Sequence, residues 1–184
     1  MDQLDVTLHT LPEPITSLTD ANAIIARLGL QPLEREGGFF ARTWTSPDLH
    51  PNGRAAASAI HYLLTPLTLS ALHRLDADEL WHFYAGEPVE HLQLMPSGES
   101  RRSLLGSDVL NGQLQQIVVP RGVWQGARVL PASQQNTVKH GWSLLGCTMS
   151  PGWWPEGFTL GNRHLLSQQF PSCNPLIEAL TARF

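Results

Sequence analysis

Two residues that can exchange protons, His73 and Glu79, lie close together in segment 70–86 (SALHRLDADELWHFYAG). The residues that follow Glu79 alternate in polarity, so a β-strand would place Glu79, Trp81 and Phe83 on one face. An acid beside an indole and a phenyl ring is typical of the wall of a small, partly apolar ligand cavity. The segment therefore predicts a ligand site in which His73 and Glu79 transfer a proton.

The proton-transfer hypothesis has a structural alternative. A carboxyl group that faces apolar walls should have a raised pKa, and a neighbouring imidazole should lower that pKa again. Such a pair can remove or return a proton beside a carbonyl group. The same two side chains could instead hydrogen-bond each other and only close the loop between them, because buried polar groups need partners. The sequence leaves both interpretations open.

Five further side chains are candidates for contact with a ligand. Gln116 and Gln125 fall in otherwise apolar strands, and a buried primary amide needs partners for two donors and an acceptor. Ligand hydroxyls could supply these partners, as could the barrel backbone or water, and the same holds for Tyr62. Trp81 and Trp124 border the other candidates and can stack on a ring. The predicted site therefore combines acid/base, amide and aromatic groups.

Composition and charge exclude several function classes. The chain of 184 residues is 42% hydrophobic and 15% charged, with a net charge of −4 and no basic stripe that would follow a nucleic-acid backbone. It does not start with positive charge followed by an apolar run, so we expect neither a signal peptide nor a membrane span. Cys147 and Cys173 are expected to be free thiols in a reducing cytoplasm.

The elements that must position these residues are short strands separated by turns. With 14 Pro and 15 Gly, the chain is typical of a turn-rich β protein. Its length fits one domain over residues 1–184, with residues 1–15 as a flexible arm. Such a pattern favours a β-sandwich or a jelly-roll barrel.

Local sequence signals predict the two terminal helices and two of the turns of this β domain. Thr19 or Asp20 caps a helix that ends before Gly29. Asn174 caps a second helix near the carboxyl-terminal end, with Pro175 at its first position. Residues 89–94 are predicted to form a hairpin with the strand that carries Glu79. A second tight hairpin is predicted at residues 111–112, where Asn precedes Gly.

The segment around Glu79 resembles the first motif of the cupin superfamily. Glu79 and Gly86 fit the E-x6-G part of that motif, and His73 matches its second histidine. Ala71 stands where the first histidine would be, and five residues separate His73 from Glu79 where the motif has three or four.

The second cupin motif, P-x-G-x-x-H, is matched at Pro120 and Gly122, with Gln125 in place of the final histidine. More closely, the chain is similar to the cupin subfamily once catalogued as domain of unknown function 985. Four runs carry this similarity: residues 36–40 (EGGFF), 78–86 (DELWHFYAG), 119–124 (VPRGVW) and 146–152 (GCTMSPG). The resemblance covers roughly residues 20–180.

The resemblance implies an all-β fold, the double-stranded β-helix (jelly-roll, cupin) barrel with short amino- and carboxyl-terminal helices. It also implies a homodimer, because cupins commonly pair and pairing hides open sheet edges. A divalent metal, if one is bound, would have His73, Glu79 and Gln125 as its ligands. An amide oxygen is a weak, neutral ligand that first-row metals seldom prefer over imidazole.

Three function classes remain open on this basis. The leading hypothesis is a cupin-type enzyme, similar to sugar epimerases and isomerases, that acts on a sugar-like or other small polar carbonyl compound. Its rival is a non-catalytic small-molecule binder or sensor with the same pocket. A purely structural barrel is the third class, and it predicts an interior filled by side chains. No nucleic acid or membrane is expected as a partner.

Overall fold

The computed structural model describes residues 20–135 and 140–181, so the predicted arm at residues 1–15 and the candidate cap Thr19 lie outside the described residues. Two antiparallel sheets face each other. The order of the first is β1 (Gln31–Pro32), β2 (Phe39–Thr45), β3 (Ser58–Leu64), β10 (Ser143–Ser150), β5 (Asp78–Gly86) and β8 (Gln116–Val119). The order of the second is β11 (Phe158–Leu160), β4 (Leu69–Leu75), β9 (Trp124–Val129), β6 (Val89–Leu94) and β7 (Ser100–Leu105).

The chain crosses between the sheets at the point where a hairpin was predicted. β5 pairs with β10 and β8, whereas β6 pairs with β7 and β9 in the opposite sheet. All six residues of β6 are buried, so this strand needs a central position with a partner on each side. Gly86, with a φ of 99°, turns the chain between the two layers. The hairpin prediction for residues 89–94 is therefore wrong.

The predicted hairpin at Asn111 and Gly112 is also absent. Val109–Asn111 forms a single 3-10 turn, which Gly112 ends with a φ of 85°. The flanking strands β7 and β8 belong to different sheets, so the segment between them is a crossing. The local turn signal was sound, but it does not specify which strands the turn connects.

Short helices cover the outer faces of both sheets. α1 (Asp20–Leu28) packs on the first sheet in a cluster with Leu63 and Trp142. α2 (Arg163–Gln169) and α3 (Asn174–Leu180) pack on the second sheet, where their apolar residues meet Leu72, Leu92 and Leu94. No helix in the described part of the chain is long and apolar enough to cross a membrane.

The sequence did not predict α2. Its sequence, RHLLSQQ, buries only Leu166 and so lacks a clear apolar stripe. The side chain of Asn162 caps it by accepting a hydrogen bond from the Leu165 backbone at 3.1 Å. The prediction of one helix at each end was therefore incomplete at the carboxyl-terminal end.

The core between the sheets is built from the inward faces of both. Trp81, Leu145, Val89 and Ala127 form part of one continuous buried cluster. On β5 the strand alternation holds, because Glu79 and Trp81 are buried while Tyr84 is exposed. This alternation directs the Glu79 carboxyl into the barrel.

Candidate functional site

An open cavity of about 400 Å³ lies against the inner face of the first sheet. Its walls come from β1, β2, β3, β5 and β10 of the first sheet, from β4 of the second sheet, from the loop between β1 and β2, and from the segment that leads into and begins β11. The apolar wall includes Leu33, Phe40, Ile60, Leu75, Met149, Trp153 and Phe158. The polar and ionisable wall is Glu34, Arg35, Glu36, Arg42, Ser58, Tyr62, Glu79 and Cys147. A structural barrel would have filled this space.

The Glu79 carboxyl accepts two hydrogen bonds, and a third hydrogen bond joins the two residues that donate them. Trp81 Nε1 donates to Glu79 Oε2 at 3.1 Å and to Gln125 Oε1 at 2.9 Å. Gln125 Nε2 donates to the same Glu79 Oε2 at 2.7 Å. Trp81 and Gln125 are fully buried, so their donors are fixed in direction. The orientation of the carboxyl is therefore set before any ligand arrives.

Burial raises the pKa of Glu79 to about 7. The positive potential of His73 lowers this pKa, the negative charge of Glu36 raises it, and the hydrogen bonds from Gln125 and Trp81 lower it. Desolvation is the largest of these effects. A carboxyl that titrates near neutral pH can serve as an acid or as a base under ordinary conditions.

His73 lies on β4 opposite Gln125, but it is bonded to the backbone and not to the predicted partner. Its Nδ1 lies 2.8 Å from the Ala71 carbonyl oxygen, an acceptor, so this nitrogen carries the proton. The ring stacks on Phe158 with centroids 5.2 Å apart. Within residues 20–135 and 140–181, no hydrogen bond joins His73 to Glu79. The structural alternative of a direct His73–Glu79 bond is therefore wrong.

Tyr62 lines the cavity and supports the loop that borders it. Its hydroxyl donates to the Gly37 carbonyl at 2.9 Å, and burial raises the pKa of Tyr62 well above its usual value. Gly37 has a φ of 102°, and a Cβ there would lie 2.3 Å from the Leu69 carbonyl oxygen. The loop therefore requires glycine where it packs on β4.

The wall of the cavity formed by Trp153 and Phe158 is stabilised by the buried Arg54. Arg54 is 8% exposed and pairs with Asp76 at 2.9 Å, and the same Asp76 oxygen accepts from Trp154 Nε1 at 3.0 Å. The guanidinium also lies over the Trp154 ring, 4.8 Å from its centroid. These contacts fix the segment that contributes Trp153 and Phe158 to the cavity.

Of the six predicted ligand-binding residues, only Tyr62 lines the cavity. Trp81 and Gln125 contact the Glu79 carboxyl as hydrogen-bond donors and do not border the cavity. The other three lie elsewhere. Gln116 is exposed on the outer face of β8, where its amide donates to His82 Nδ1 at 3.0 Å. Trp124 packs beneath α2 and α3 on the outer face of the second sheet. Phe83 packs against the buried core without bordering the cavity. The predictions that these three side chains line the pocket are wrong.

The physical reason for two of these errors is strand alternation. Ile117 and Val119 point inward from β8, so Gln116 must point outward. Trp124 directly precedes the buried Gln125 on β9, and consecutive strand residues face opposite sides. Phe83 has the expected inward parity, but it packs against the buried core and is not among the residues that line the cavity.

Sequence reasoning missed six polar or ionisable groups that line the cavity: Glu34, Arg35, Glu36, Arg42, Ser58 and Cys147. The Cys147 thiol is buried beside Glu79, and burial followed by the charges of Glu79 and Glu36 raises its pKa well above the usual value. The alternation of side chains along β10 could have predicted that Cys147 points inward. The loop that carries Arg35 and Glu36 gave no periodic signal.

The residues present do not fit the metal site that the cupin fold implies. Where that site has histidines, this chain has Ala71 and Gln125, and the acceptor oxygens Glu79 Oε2 and Gln125 Oε1 already receive hydrogen bonds. In the described ranges, no group of three or more His, Cys, Asp or Glu side chains is arranged to hold a metal ion. First-row transition metals such as Zn, Cu and Fe prefer imidazole over a neutral amide oxygen.

The family model for Cupin_5, described as cupin superfamily (DUF985), matches residues 22–161. The chain therefore belongs to this family of cupin-fold proteins. A crystal structure from Shewanella oneidensis is 30% identical, with 89% of this chain and 98% of that chain covered and a TM-score of 0.78. A hypothetical protein from Leishmania major is also 30% identical, with coverage of 89% and 99% and a TM-score of 0.79.

A curated relative, an uncharacterized protein of Saccharomyces cerevisiae, is 29% identical over 111 residues. The match covers 53% of this chain and 55% of that protein, so the chain spans about half the length of the curated relative it matches. Oxalate decarboxylase from Bacillus subtilis is 13% identical, with 98% of this chain and 42% of that chain covered and a TM-score of 0.52. That likeness shows the jelly-roll fold alone.

Proposed function

We propose that this protein binds a small sugar-like or other polar carbonyl compound in the cavity and that Glu79 transfers a proton to or from it. One observation carries the proposal: the buried Glu79 carboxyl, whose pKa is raised to about 7, lines a cavity of about 400 Å³. A mostly apolar pocket with a few fixed polar groups is the usual form of a small-molecule site.

In this mechanism, ionised Glu79 removes a proton from the carbon beside the ligand carbonyl. The C–H bond breaks, its electron pair moves toward the carbonyl oxygen, and the proton resides on the carboxyl group. If the carboxyl proton exchanges with water and returns to the same carbon, the result is isotope exchange. Delivery of a proton from water to the opposite face of that carbon gives epimerisation. Delivery to the former carbonyl carbon, with the neighbouring hydroxyl proton passing to the former carbonyl oxygen, gives isomerisation. Gln125 and Trp81 orient the carboxyl, and His73 lowers its pKa, which makes them positioning residues.

The alternative function is non-catalytic binding or sensing. It is favoured by the position of His73, which was predicted to be the second proton-transfer group. Its Nδ1 is bonded to the Ala71 carbonyl oxygen, and its ring stacks on Phe158, so only Glu79 of the predicted pair borders the cavity. A binder would use the same walls without turnover.

The test has two stages. Thermal-shift screening with sugars, sugar nucleotides and carbonyl compounds should reveal a stabilising ligand, since binding adds about 2.7 kcal/mol at a hundredfold excess over Kd. Proton NMR in D₂O should then detect exchange at the carbon beside the carbonyl. Glu79→Gln should retain binding and lose about 10²-fold or more in exchange rate.

Glu99→Gln, at an exposed position, is the matched control and should exchange like the wild type. Binding without exchange in the wild type would favour the sensor. An unchanged exchange rate in Glu79→Gln would remove Glu79 from the mechanism.

We also propose that the protein acts as a homodimer in the cytoplasm. The free thiols of Cys147 and Cys173 support a reducing compartment. Support for a dimer comes from the apolar side chains that the first sheet exposes on its outer face: Trp44, Tyr84 and Val118 are 47%, 53% and 56% exposed. A second copy could cover them.

A further inference from the structure

Two arginine side chains line the same cavity as Glu79. Arg35 belongs to the loop between β1 and β2, and its guanidinium lies over the Phe158 ring, 5.2 Å from the centroid. Arg42 lies on β2, and its guanidinium lies over the Trp153 ring at 6.0 Å. Phe158 and Trp153 are themselves cavity walls, so both cations border the space that a ligand would enter.

Neither guanidinium has an acidic partner in the described part of the chain. Arg54 pairs with Asp76, and Arg102 and Arg128 both pair with Glu90, all within 4.0 Å. Arg35 and Arg42 form no such ion pair with the described residues, and each guanidinium lies over an aromatic ring. Their N–H donors remain available for a ligand.

The loop at residues 33–38 holds Arg35 in a left-handed conformation with a φ of 70°. A non-glycine residue adopts this conformation at a cost and retains it only where its surroundings fix it. Here the Leu33 amide donates to the Gly38 carbonyl and the Gly37 amide to the Leu33 carbonyl, at 3.0 and 2.8 Å. These bonds fix the backbone of the loop from which the Arg35 side chain reaches the cavity wall.

The acidic groups around the cavity are largely engaged. Glu36 accepts a hydrogen bond from the Ser70 hydroxyl at 2.7 Å, and Glu79 accepts from Gln125 and Trp81. Glu34 also borders the cavity and is exposed. An anion at the two arginines would meet guanidinium donors, with the carboxyls of Glu34 and Glu36 beside them in the cavity wall. The Glu79 carboxyl, whose pKa is raised to about 7, borders the same cavity.

We propose that the ligand carries a carboxylate or phosphate group and that Arg35 and Arg42 bind this anion. Guanidinium groups suit both anions because their N–H donors match paired oxygens. The inference rests on the proposed function, since it names the class of compound that Glu79 would act on: an anionic carbonyl compound or a sugar phosphate.

Pairs of similar compounds that differ in charge test whether the anionic group itself contributes to binding. Calorimetry should compare pyruvate with methyl pyruvate and fructose 6-phosphate with fructose. We expect the anionic member of at least one pair to bind at least tenfold more tightly. Arg35→Gln and Arg42→Gln should each weaken the binding of that anion by about tenfold. They should leave the binding of its neutral counterpart unchanged.

Arg74→Gln is the matched control, because Arg74 makes the same kind of contact with Trp124 at 4.8 Å on the outer face of the second sheet. It should bind every probe like the wild type. Equal binding of charged and neutral members would overturn the anion site and leave the cavity proposal standing, as would wild-type anion affinity in both arginine variants. If none of the four probes bound, both the anion site and the proposed ligand class would be rejected.

Discussion

Gln125 on β9 of one sheet donates to the Glu79 carboxylate on β5 of the other, with 2.7 Å between Nε2 and Oε2. This hydrogen bond joins the two layers of the barrel at the candidate site. It occurs where the second cupin motif would place a histidine, so the amide supports the carboxyl directly. The two residues therefore form one unit, and changes to either should alter the titration of Glu79.

The stability of the protein should depend on the ionisation of Glu79. Its pKa is about 7 in the folded state against an ordinary value of 4.5, so folding favours the protonated form. This contribution is fully present below pH 4.5 and is lost as the pH rises through about 7. The loss should amount to about 3 kcal/mol. Urea unfolding at several pH values gives the unfolding free energy of the wild type and of Glu79→Gln, and the change of their difference with pH measures this contribution. If the unfolding free energies of the two proteins depended on pH in the same way, the prediction would be contradicted.

Gln125→Leu should shift the titration of Glu79. The hydrogen bond from Gln125 lowers the pKa of Glu79, so its removal should raise that pKa above about 7. The acidic limb of the pH–rate profile should then move to higher pH. Loss of a buried partner should also cost about 1–3 kcal/mol of stability. Carbon-13 NMR of the carboxyl measures the pKa directly.

Gln93→Leu is the control for this change. Gln93 is a buried amide on the adjacent strand β6, opposite Gln125, and its amide donates to the Val118 carbonyl at 2.8 Å and not to Glu79. It should lose similar stability and leave the pKa of Glu79 unchanged. A pH profile that moves equally in both variants would indicate a general loosening of the barrel.

Gly37→Ala should displace the loop that borders the cavity. A Cβ there would lie 2.3 Å from the Leu69 carbonyl oxygen, in addition to the strain of a positive φ. Gly98→Ala provides the comparison, because Gly98 has a φ of 90° and open space around it. Gly98→Ala should cost about 1–2 kcal/mol in unfolding free energy. Gly37→Ala should cost more and should also weaken ligand binding; equal losses would mean that the close approach is unimportant.

A homodimer should be visible in solution. Sedimentation velocity at micromolar concentration should give a species of twice the chain mass, because paired copies hide apolar side chains and open sheet edges. Tyr84→Glu places a charge on the exposed outer face of the first sheet and should shift the equilibrium toward monomer. A monomeric wild type at this concentration would contradict the prediction.

The sequence predicts the direction of side chains better than it predicts which strands pair. Alternation along β5 and β9 places Glu79, Trp81 and Gln125 inward, and it could also have excluded Trp124 and Gln116. Pairing between distant strands has no local signal, so the separation of β5 from β6 was missed and the barrel topology came from the resemblance to cupins. Arg35 was beyond prediction because a left-handed loop residue follows no periodic pattern.

The Phe158 ring contacts both the buried imidazole of His73 and the exposed guanidinium of Arg35. The ring current of Phe158 therefore shifts the NMR signals of the imidazole protons of His73. His73 is buried, so these protons report on the protein interior. A ligand that draws Arg35 away and lets the ring tilt would change the chemical shifts of His73. The NMR signals of the buried His73 ring should therefore detect ligand binding at Arg35, although His73 itself does not touch the ligand.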